Sequence, residues 1–343
     1  AREDMATGKS DQYTKAGVDI SAAAGWVSRI GNLASKVKDE SVLSGIGGFS
    51  GLYSMEAHGF GDLVLASGAD GVGTKLLVAQ MAGKHDTVGI DLVAMNVDDI
   101  VTSGAKPLFF MDYIAGGDLT PSLVQEIVSG VIEGCHRAGC VLLGGETAQM
   151  PGLYGPGQYD LAGFSVGAVV KDRIIDGKNT SCGDVILGFA SSGLHSNGYS
   201  LARHVFLEKA KWDLNRYVDE FGRTLEQELL EPTFIYAPFM LKLMDVAAIK
   251  GAAHITGGGV TENIPRILPP GLGMELSYDW EVPAVFKVLQ SLGRISEEEM
   301  YRVFNMGVGM TVIVSQKDAE KVLEFSRSAG ISSFVAGEII EQR

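Results

Sequence analysis

Runs of apolar residues of strand length alternate along the chain with glycine-rich loops and helix-like segments. Leu63 to Gly68 and Pro107 to Ile114 read as strands. Cys140 to Leu143 is another, ending in Gly144-Gly-Glu-Thr147, and Leu161 to Val170 closes the first half. Thr87 to Ile90 reads as a short strand leading into a helix from Asp91 to Ser103. Thr120 and Pro121 supply an N-cap and a first-turn proline for a helix reaching about Arg137. A further helical pattern spans Ile20 to Val37, behind a polar stretch over residues 1–17.

The second half repeats the scheme. Val185 to Ala190 is a strand followed by the polar loop Ser191-Ser-Gly-Leu-His-Ser-Asn-Gly198, then helices with a break at Pro232. Ala253 to Ile255 runs into Thr256-Gly-Gly-Gly259, and strands at Met310 to Val314 and Phe334 to Ile339 flank a helix from Asp318 to Ala329. The charged segment Lys171-Asp-Arg173 interrupts the apolar pattern. A chain of 343 residues is long for one core, so the expected division is residues 1–170 and 171–343. The fold class is mixed α/β, of the α+β kind, in two domains.

Composition sharpens this picture. Hydrophobic residues make up 46% and mean hydropathy is +0.16, enough for a packed core. A net charge of −14 argues against a nucleic-acid surface, and no apolar run is long enough to cross a membrane. An acidic protein that binds phosphates must use metal ions, backbone amides and a few placed cations. Glycine supplies 45 residues, clustered between strands and helices, as expected where backbone approaches a ligand closely. The three cysteines imply no disulfide framework. Cys135 and Cys140, five apart, fall on different faces of a helix and read as core packing. Their use suits a reducing compartment. The expected location is the cytoplasm, or, as the numbering begins at Ala1, the plastid stroma if this is the mature form of a transit-peptide-bearing plant or algal precursor.

Two nucleotide signatures are nearly matched and both fail. Gly71-Val-Gly-Thr-Lys75 lacks the spacing of a P-loop, and Ser50 stands where a dinucleotide fingerprint needs its third glycine. The physical content of Asp70-Gly-Val-Gly-Thr-Lys75 is nevertheless suggestive. Asp70 at a strand end can hold magnesium, the amides around Gly71 and Gly73 can face phosphate oxygens, and Thr74 and Lys75 open a helix whose dipole favours an anion. A plain strand-to-helix turn capped by Asp70 explains the same residues. Asp91 and Asp98 share a helix face with Asp99 beside them, and Asp91 also suits an N-cap. These acids have no lysine nearby, as if a hard cation balanced them. Glu146, after a strand and two glycines, makes a carboxylate set with Asp70 and Asp99. His195, with Ser196 and Asn197, offers donors at a helix start for a phosphate or carbonyl oxygen. His254, before Thr256, Gly257 and Gly258, has a similar claim, and a surface histidine is the bland alternative for each. His58, His85, His136 and His204 have no company that suggests chemistry.

In this order the loops resemble the phosphoribosylformylglycinamidine cyclo-ligase family, also called aminoimidazole ribonucleotide synthetases. The matching stretches run from Ala16-Gly-Val-Asp-Ile20 to Phe304-Asn-Met-Gly-Val-Gly309, and include Gly45 to Gly51, Asp70 to Lys75, Lys84 to Asp91, Gly104 to Phe110, Gly144 to Thr147, Ser191 to Ser200, His254 to Gly259 and Glu262 to Arg266. The resemblance implies a homodimer whose N-terminal sheets join into a barrel, with an α+β second domain. It implies an ATP site between the domains, roofed near Gly47, Gly48 and Phe49, with Gly71, Gly73, Thr74, Lys75 and Asp91 beside the nucleotide. Asp70, Asp99 and Glu146 would hold Mg2+, and His195, Ser196, Asn197, His254, Thr256, Gly257 and Gly258 the substrate, with His195, Asp70 and Lys75 in catalytic roles. The implied reaction cyclises formylglycinamidine ribonucleotide, releasing ADP and phosphate. Asp98 stands where the family usually has Asn, Gln149 where it has Glu, Ser50 for a glycine and Ala69 for a threonine. Selenophosphate synthetase usually needs a reactive cysteine or selenocysteine near an N-terminal loop, and here none precedes Cys135. The hydrogenase-maturation relative carries a C-terminal cysteine, whereas this sequence closes on Glu341-Gln-Arg343. Thiamine-monophosphate kinase and a catalytically silent nucleotide-binding subunit remain as alternatives.

Overall fold

The structure is a computed structural model that describes Ile30, Ala34, residues 40–44 and residues 47–342. The stretch over residues 1–17, most of the expected helix from Ile20 to Val37, and Gly45 and Ile46 lie outside these described residues.

The first half forms a five-stranded sheet with helices on one face. β1 (Gly51–Ser54) and β2 (Leu63–Gly71) are followed by helices α1 (Lys75–Ala82) and α2 (Val88–Val101). Then come β3 (Lys106–Gly116), α3 (Pro121–Ala138), β4 (Val141–Gln149) and β5 (Tyr159–Val170). The order across the sheet is β1-β2-β5-β3-β4, antiparallel except for the β3–β4 pair, which α3 connects as a crossover. Along β5 buried and exposed residues alternate, the mark of a sheet dry on one face only. The dry face packs on α2, where thirteen of fourteen residues are buried. A helix buried on nearly every side belongs inside a protein, and α2 is covered by sheet, α3 and the second half together.

That burial hid its start from sequence reading. Thr87 to Ile90 is not a strand: helix bonds run back to the Thr87 carbonyl from Ile90 at 3.0 Å and Asp91 at 3.2 Å. The short run Val88-Gly-Ile90 carries no periodicity that separates a buried helix from a strand. Asp91 therefore lies inside the first turn and is not an N-cap. The third strand was also read too short. β4 continues through Gly144, Gly145 and Glu146, paired with Met111, Asp112 and Tyr113 of β3. By contrast, Thr120 caps α3 as expected, accepting from the Leu123 N–H at 3.3 Å with Pro121 in the first turn.

The second half opens with β6 (Val185–Ala190) and a short helix α4 (Tyr199–Arg203) that continues helically to Lys209. The ribbon β7 (Tyr217–Val218) and β8 (Arg223–Thr224) precedes α5 (Leu225–Leu229) and α6 (Ala237–Val246). Next come β9 (Gly251–His254), α7 (Gly259–Asn263), β10 (Leu272–Leu276), α8 (Ala284–Gly293) and α9 (Glu297–Val303). β11 (Val308–Val314), α10 (Gln316–Ser328) and β12 (Ser333–Glu341) complete the chain. Its sheet runs β10-β12-β6-β11-β9, and every residue of β11 is buried, so both faces are covered. One apolar cluster runs from α2 through α6 into this sheet, seating the two halves on a common core.

Candidate functional site

The end of β2 is tied to α2 by Asn96, whose Nδ2 donates to the Asp70 carbonyl at 3.3 Å and to the Leu92 carbonyl at 2.8 Å. Asp70 is thereby set beside Asp99. Burial and then the Asp99 charge raise its carboxyl from 3.8 to about 6, against the Gly71 N–H that bonds its Oδ1 at 2.7 Å. Asp99, with 19% of its side chain exposed, accepts from His254 Nδ1 at 2.8 Å. His254 is fully buried at the end of β9. Burial works against its charge, but the Asp99 bond and the fields of Asp99, Asp98 and Asp70 outweigh it and raise its pKa. Two acids and a histidine from three elements thus converge.

The other two acids of α2 are placed differently. Asp91 is fully buried, and its Oδ1 accepts from Lys75 Nζ at 2.8 Å and from the backbone and side chain of Thr233, each at 2.7 Å. Lys75 spends its remaining donors on the carbonyls of His195 at 2.9 Å and Glu231 at 2.7 Å. An ammonium with three donors has none left for a phosphate. Lys75 and Asp91, expected as nucleotide contacts and Lys75 as catalytic, are instead an interior pair holding the halves together. Asp98 is fully buried too, and its Oδ1 accepts from the N–H groups of Tyr236 at 2.8 Å and Ala237 at 2.9 Å, capping α6. Protein partners hold Oδ1 of each of these acids, while Oδ2 of both is buried without a partner.

Glu146 does not join Asp70 and Asp99. In register, Asp70 faces Gly163, Gly163 faces Asp112 and Asp112 faces Gly145, so two strands intervene, about 14 Å at normal strand spacing. Its exposed carboxylate accepts from the neighbouring Thr147 N–H instead. Among the described residues no three His, Cys, Asp or Glu side chains form a metal-holding group. Asp70 and Asp99 alone still fit a hard cation. Their mutual repulsion raises Asp70, and such ions keep several positions for water and phosphate oxygens.

The glycine loops of the halves face one another across this centre. Thr74 Oγ1 lies 3.1 Å from Ser200 Oγ, and Gly73 approaches the Ser196 carbonyl. Gly71 closes β2 just before this turn. Asn197 turns its Oδ1 toward exposed Gly257, and its buried Nδ2 has no partner. Asn263 Nδ2 holds the loop from within, donating to the carbonyls of Gly257 at 3.1 Å and Gly259 at 2.9 Å. Thr256 lies half-buried and Gly258 takes φ 97° in this loop. Arg266 donates to the Gly47 carbonyl at 2.8 Å and stacks 4.3 Å from the Phe49 ring, so it ties the Gly47-Gly48-Phe49 loop to the second half.

His195 was expected as an accessible donor, but it is only 1% exposed. Its ring sits against Gly309, where an added Cβ would come within 2.6 Å of Cε1, so only glycine fits there. Ser192 N–H donates to Nε2 at 3.1 Å, which leaves the proton of the neutral ring on Nδ1, a buried atom without a partner. Burial, then His254 and Lys75, hold its pKa well below the ordinary value. Nε2 of His254 is likewise buried and unpartnered. Ser196 is occupied by Thr233, 3.1 Å away between hydroxyls. The loops that sequence reasoning chose do meet. It missed Asn96, Asn263 and Thr233. Asn96 stood out as a lone amide in an apolar helix and Asn263 lay within the matching stretch Glu262 to Arg266, whereas Thr233 carried no sequence signal.

Comparison with known proteins defines the class. Residues 56–169 match the N-terminal domain of AIR synthase related proteins, and residues 182–343 match their C-terminal domain. The phosphoribosylformylglycinamidine cyclo-ligase of Carboxydothermus hydrogenoformans is 51% identical over 327 residues, covering 95% of each chain. That of Caldanaerobacter subterraneus is also 51% identical, over 331 residues, covering 96% of this chain and 98% of its own. Among solved structures, a ThiL protein complexed with AMPPCP and TMP has the same fold at 17% identity, with a TM-score of 0.63 over 92% of this chain and 90% of that one. The chain belongs to the AIR synthase related family and, within it, to the phosphoribosylformylglycinamidine cyclo-ligases.

Proposed function

We propose that this chain is an ATP-dependent ligase of purine biosynthesis that cyclises formylglycinamidine ribonucleotide to aminoimidazole ribonucleotide, with release of ADP and phosphate. The observation that carries the reading is identity of about half over nearly the whole length of relatives with that activity in their names. An amide oxygen is a poor leaving group. Once it has received the γ-phosphoryl group it departs as phosphate when the amine closes the ring, so the protein's task is positioning and charge neutralisation.

In this reading residues 1–170 hold nucleotide and metal, and residues 171–343 present the substrate. The AMPPCP-bound neighbour of the same fold supports ATP as the nucleotide. Asp70 and Asp99 would hold Mg2+, which would offset phosphate charge, and His254 fixes the Asp99 carboxylate. The unpartnered donors of His195 and Asn197 suit the oxygen that becomes negative. ADP release with formylglycinamidine ribonucleotide tests the assignment. Turnover only with thiamine monophosphate, or with neither compound, would overturn it.

The open sheet face supports a homodimer. Met111 and Tyr113 of β3, Leu143 of β4 and Phe164 of β5 are exposed there, Leu143 by 61%. A second copy covering the face would complete a barrel. Sedimentation as a stable monomer at micromolar concentration would remove that part of the proposal.

A further inference from the structure

Helix α3 ends at Ala138, and Gly139 turns the chain with φ 72°. Gly139 N–H donates to the His136 carbonyl at 3.2 Å, and Cys140 N–H reaches back to the Cys135 carbonyl at 3.0 Å. This is the Schellman closure, in which the side chains at the two ends of the longer bond come into contact. Both ends here are cysteines. The helical-wheel expectation that five-apart residues diverge fails because the chain leaves the helix between them. The backbone bond keeps their Cα atoms about 5–6 Å apart, the spacing a disulfide spans.

The two sulfurs are unequal. Cys135 is 3% exposed and Cys140 half-buried. The neighbouring Cys140 sulfur, then burial, raises the Cys135 thiol, and the neighbouring Cys135 sulfur lowers Cys140. The nucleophile of a dithiol pair is the accessible sulfur with more thiolate character. Neither cysteine takes part in the cluster around Asp70 and Asp99.

We propose that Cys135 and Cys140 form a reversible dithiol–disulfide site, with Cys140 as the sulfur that meets a small-molecule disulfide. The Cys140 thiolate attacks one sulfur of that oxidant, breaking its S–S bond and expelling one thiolate, which takes up the Cys140 proton. The Cys135 sulfur then attacks Cys140 Sγ in the mixed disulfide, expelling the second thiol with the Cys135 proton. Two protein thiols are oxidised and one disulfide is reduced to two thiols. The bridge encloses a very short loop, so it restrains the unfolded chain little. Its role is a readily reversed modification that joins the end of α3 to the start of β4.

The experiment equilibrates the full-length, folded protein in buffers of oxidised and reduced glutathione, quenches with acid, and alkylates after unfolding. Two of the three thiols should vanish together, with the mass lowered by two hydrogens and a linked peptide carrying Cys135 and Cys140. Exposed Cys182 should keep its label in the same molecules, or carry glutathione by itself. Reduced glutathione should restore all three. Cys135→Ser should stop at a glutathione adduct on Cys140, and Cys140→Ser should leave Cys135 fully labelled. The proposal fails if wild-type Cys135 and Cys140 both stay labelled across the series, or if the link forms only in denaturant.

Discussion

Asp91 and Asp98 differ from Asp99, their neighbour on α2, in what neutralises them. The first two are sealed in the contact between halves, one against Lys75 and Thr233, the other against two N–H groups at the start of α6. Asp99 keeps part of its surface open and faces a second carboxylate and a histidine. One helix thus supplies both the joint that orients the halves and the group exposed between them. Substitutions on the two sides should therefore read out differently, in stability on one and in turnover on the other.

The joint should give the largest effect. Lys75→Met removes the partner of a fully buried carboxylate and leaves two carbonyls without their donor. Breaking one side of a buried pair costs about 3–5 kcal/mol. Urea unfolding should show that loss, and a Lys75→Met protein of normal stability but no nucleotide affinity would restore lysine to the phosphate site.

Asp98 sharpens the comparison through pH. Burial first, against the His254 charge and the N–H bonds of Tyr236 and Ala237, raises its pKa from 3.8 to about 7. A carboxyl raised in the folded state binds more protons there than when unfolded. Its contribution is therefore full below pH 4 and falls as pH rises to about 7. Asp98→Asn keeps an Oδ1 acceptor and carries no charge to bury. In metal-free protein it should be the more stable form at pH 8 by about 4 kcal/mol, with the gain shrinking toward pH 4. Thermal unfolding at both pH values checks this, and a variant less stable at pH 8 would mean that the Asp98 charge is needed.

What could be read from sequence divides by the range of the cause. The cap at Thr120 and the strand of β5 rest on residues within a turn or a ladder, and both were legible. The order and chemistry of the loops were legible as well. The Lys75 partners lie 16, 120 and 156 residues away, and Thr233 is 142 from Asp91. Nothing local distinguishes such a lysine from one at a phosphate. Glu146 misled for a related reason: Gly144 and Gly145 looked like a strand end, yet β3 supplies hydrogen bonds that carry β4 through them.

On the exposed side, Asp70→Asn and Asp99→Asn should lower turnover about 10²–10³-fold, the scale of losing an electrostatic group at a reacting phosphate. Asp70→Asn should keep thermal stability and gain some above pH 6, because it removes a raised carboxyl. Asp99→Asn should keep it at alkaline pH and lose some at acid pH, where it no longer supports protonated His254. Extra Mg2+ should restore part of the rate. Unfolding of either variant under conditions where wild type is stable would move that acid into the joint.

His195 belongs to both sides, since its carbonyl accepts from Lys75 while its ring feels the His254 charge and keeps a buried, unpartnered Nδ1. The Ser192 N–H on Nε2 and the burial of the ring fix it as a neutral donor through Nδ1, so it can stabilise negative charge but cannot supply a proton and remain in place. His195→Ala should cut turnover by about 10²-fold, near the effect of removing one oxyanion donor. His195→Asn, which tolerates the residue's φ of 61° and offers an amide donor, should recover part of it. The sharper readout is the pH profile, because a neutral donor imposes no limb near pH 6.5. Wild type and His195→Asn should therefore share their acid limb. If the limb disappears in His195→Asn, the ring titrates during turnover and acts as an acid or base. If turnover and substrate affinity both stay near wild type in His195→Ala, the substrate oxygen is held instead by Asn197 and the loop from Thr256 to Gly258.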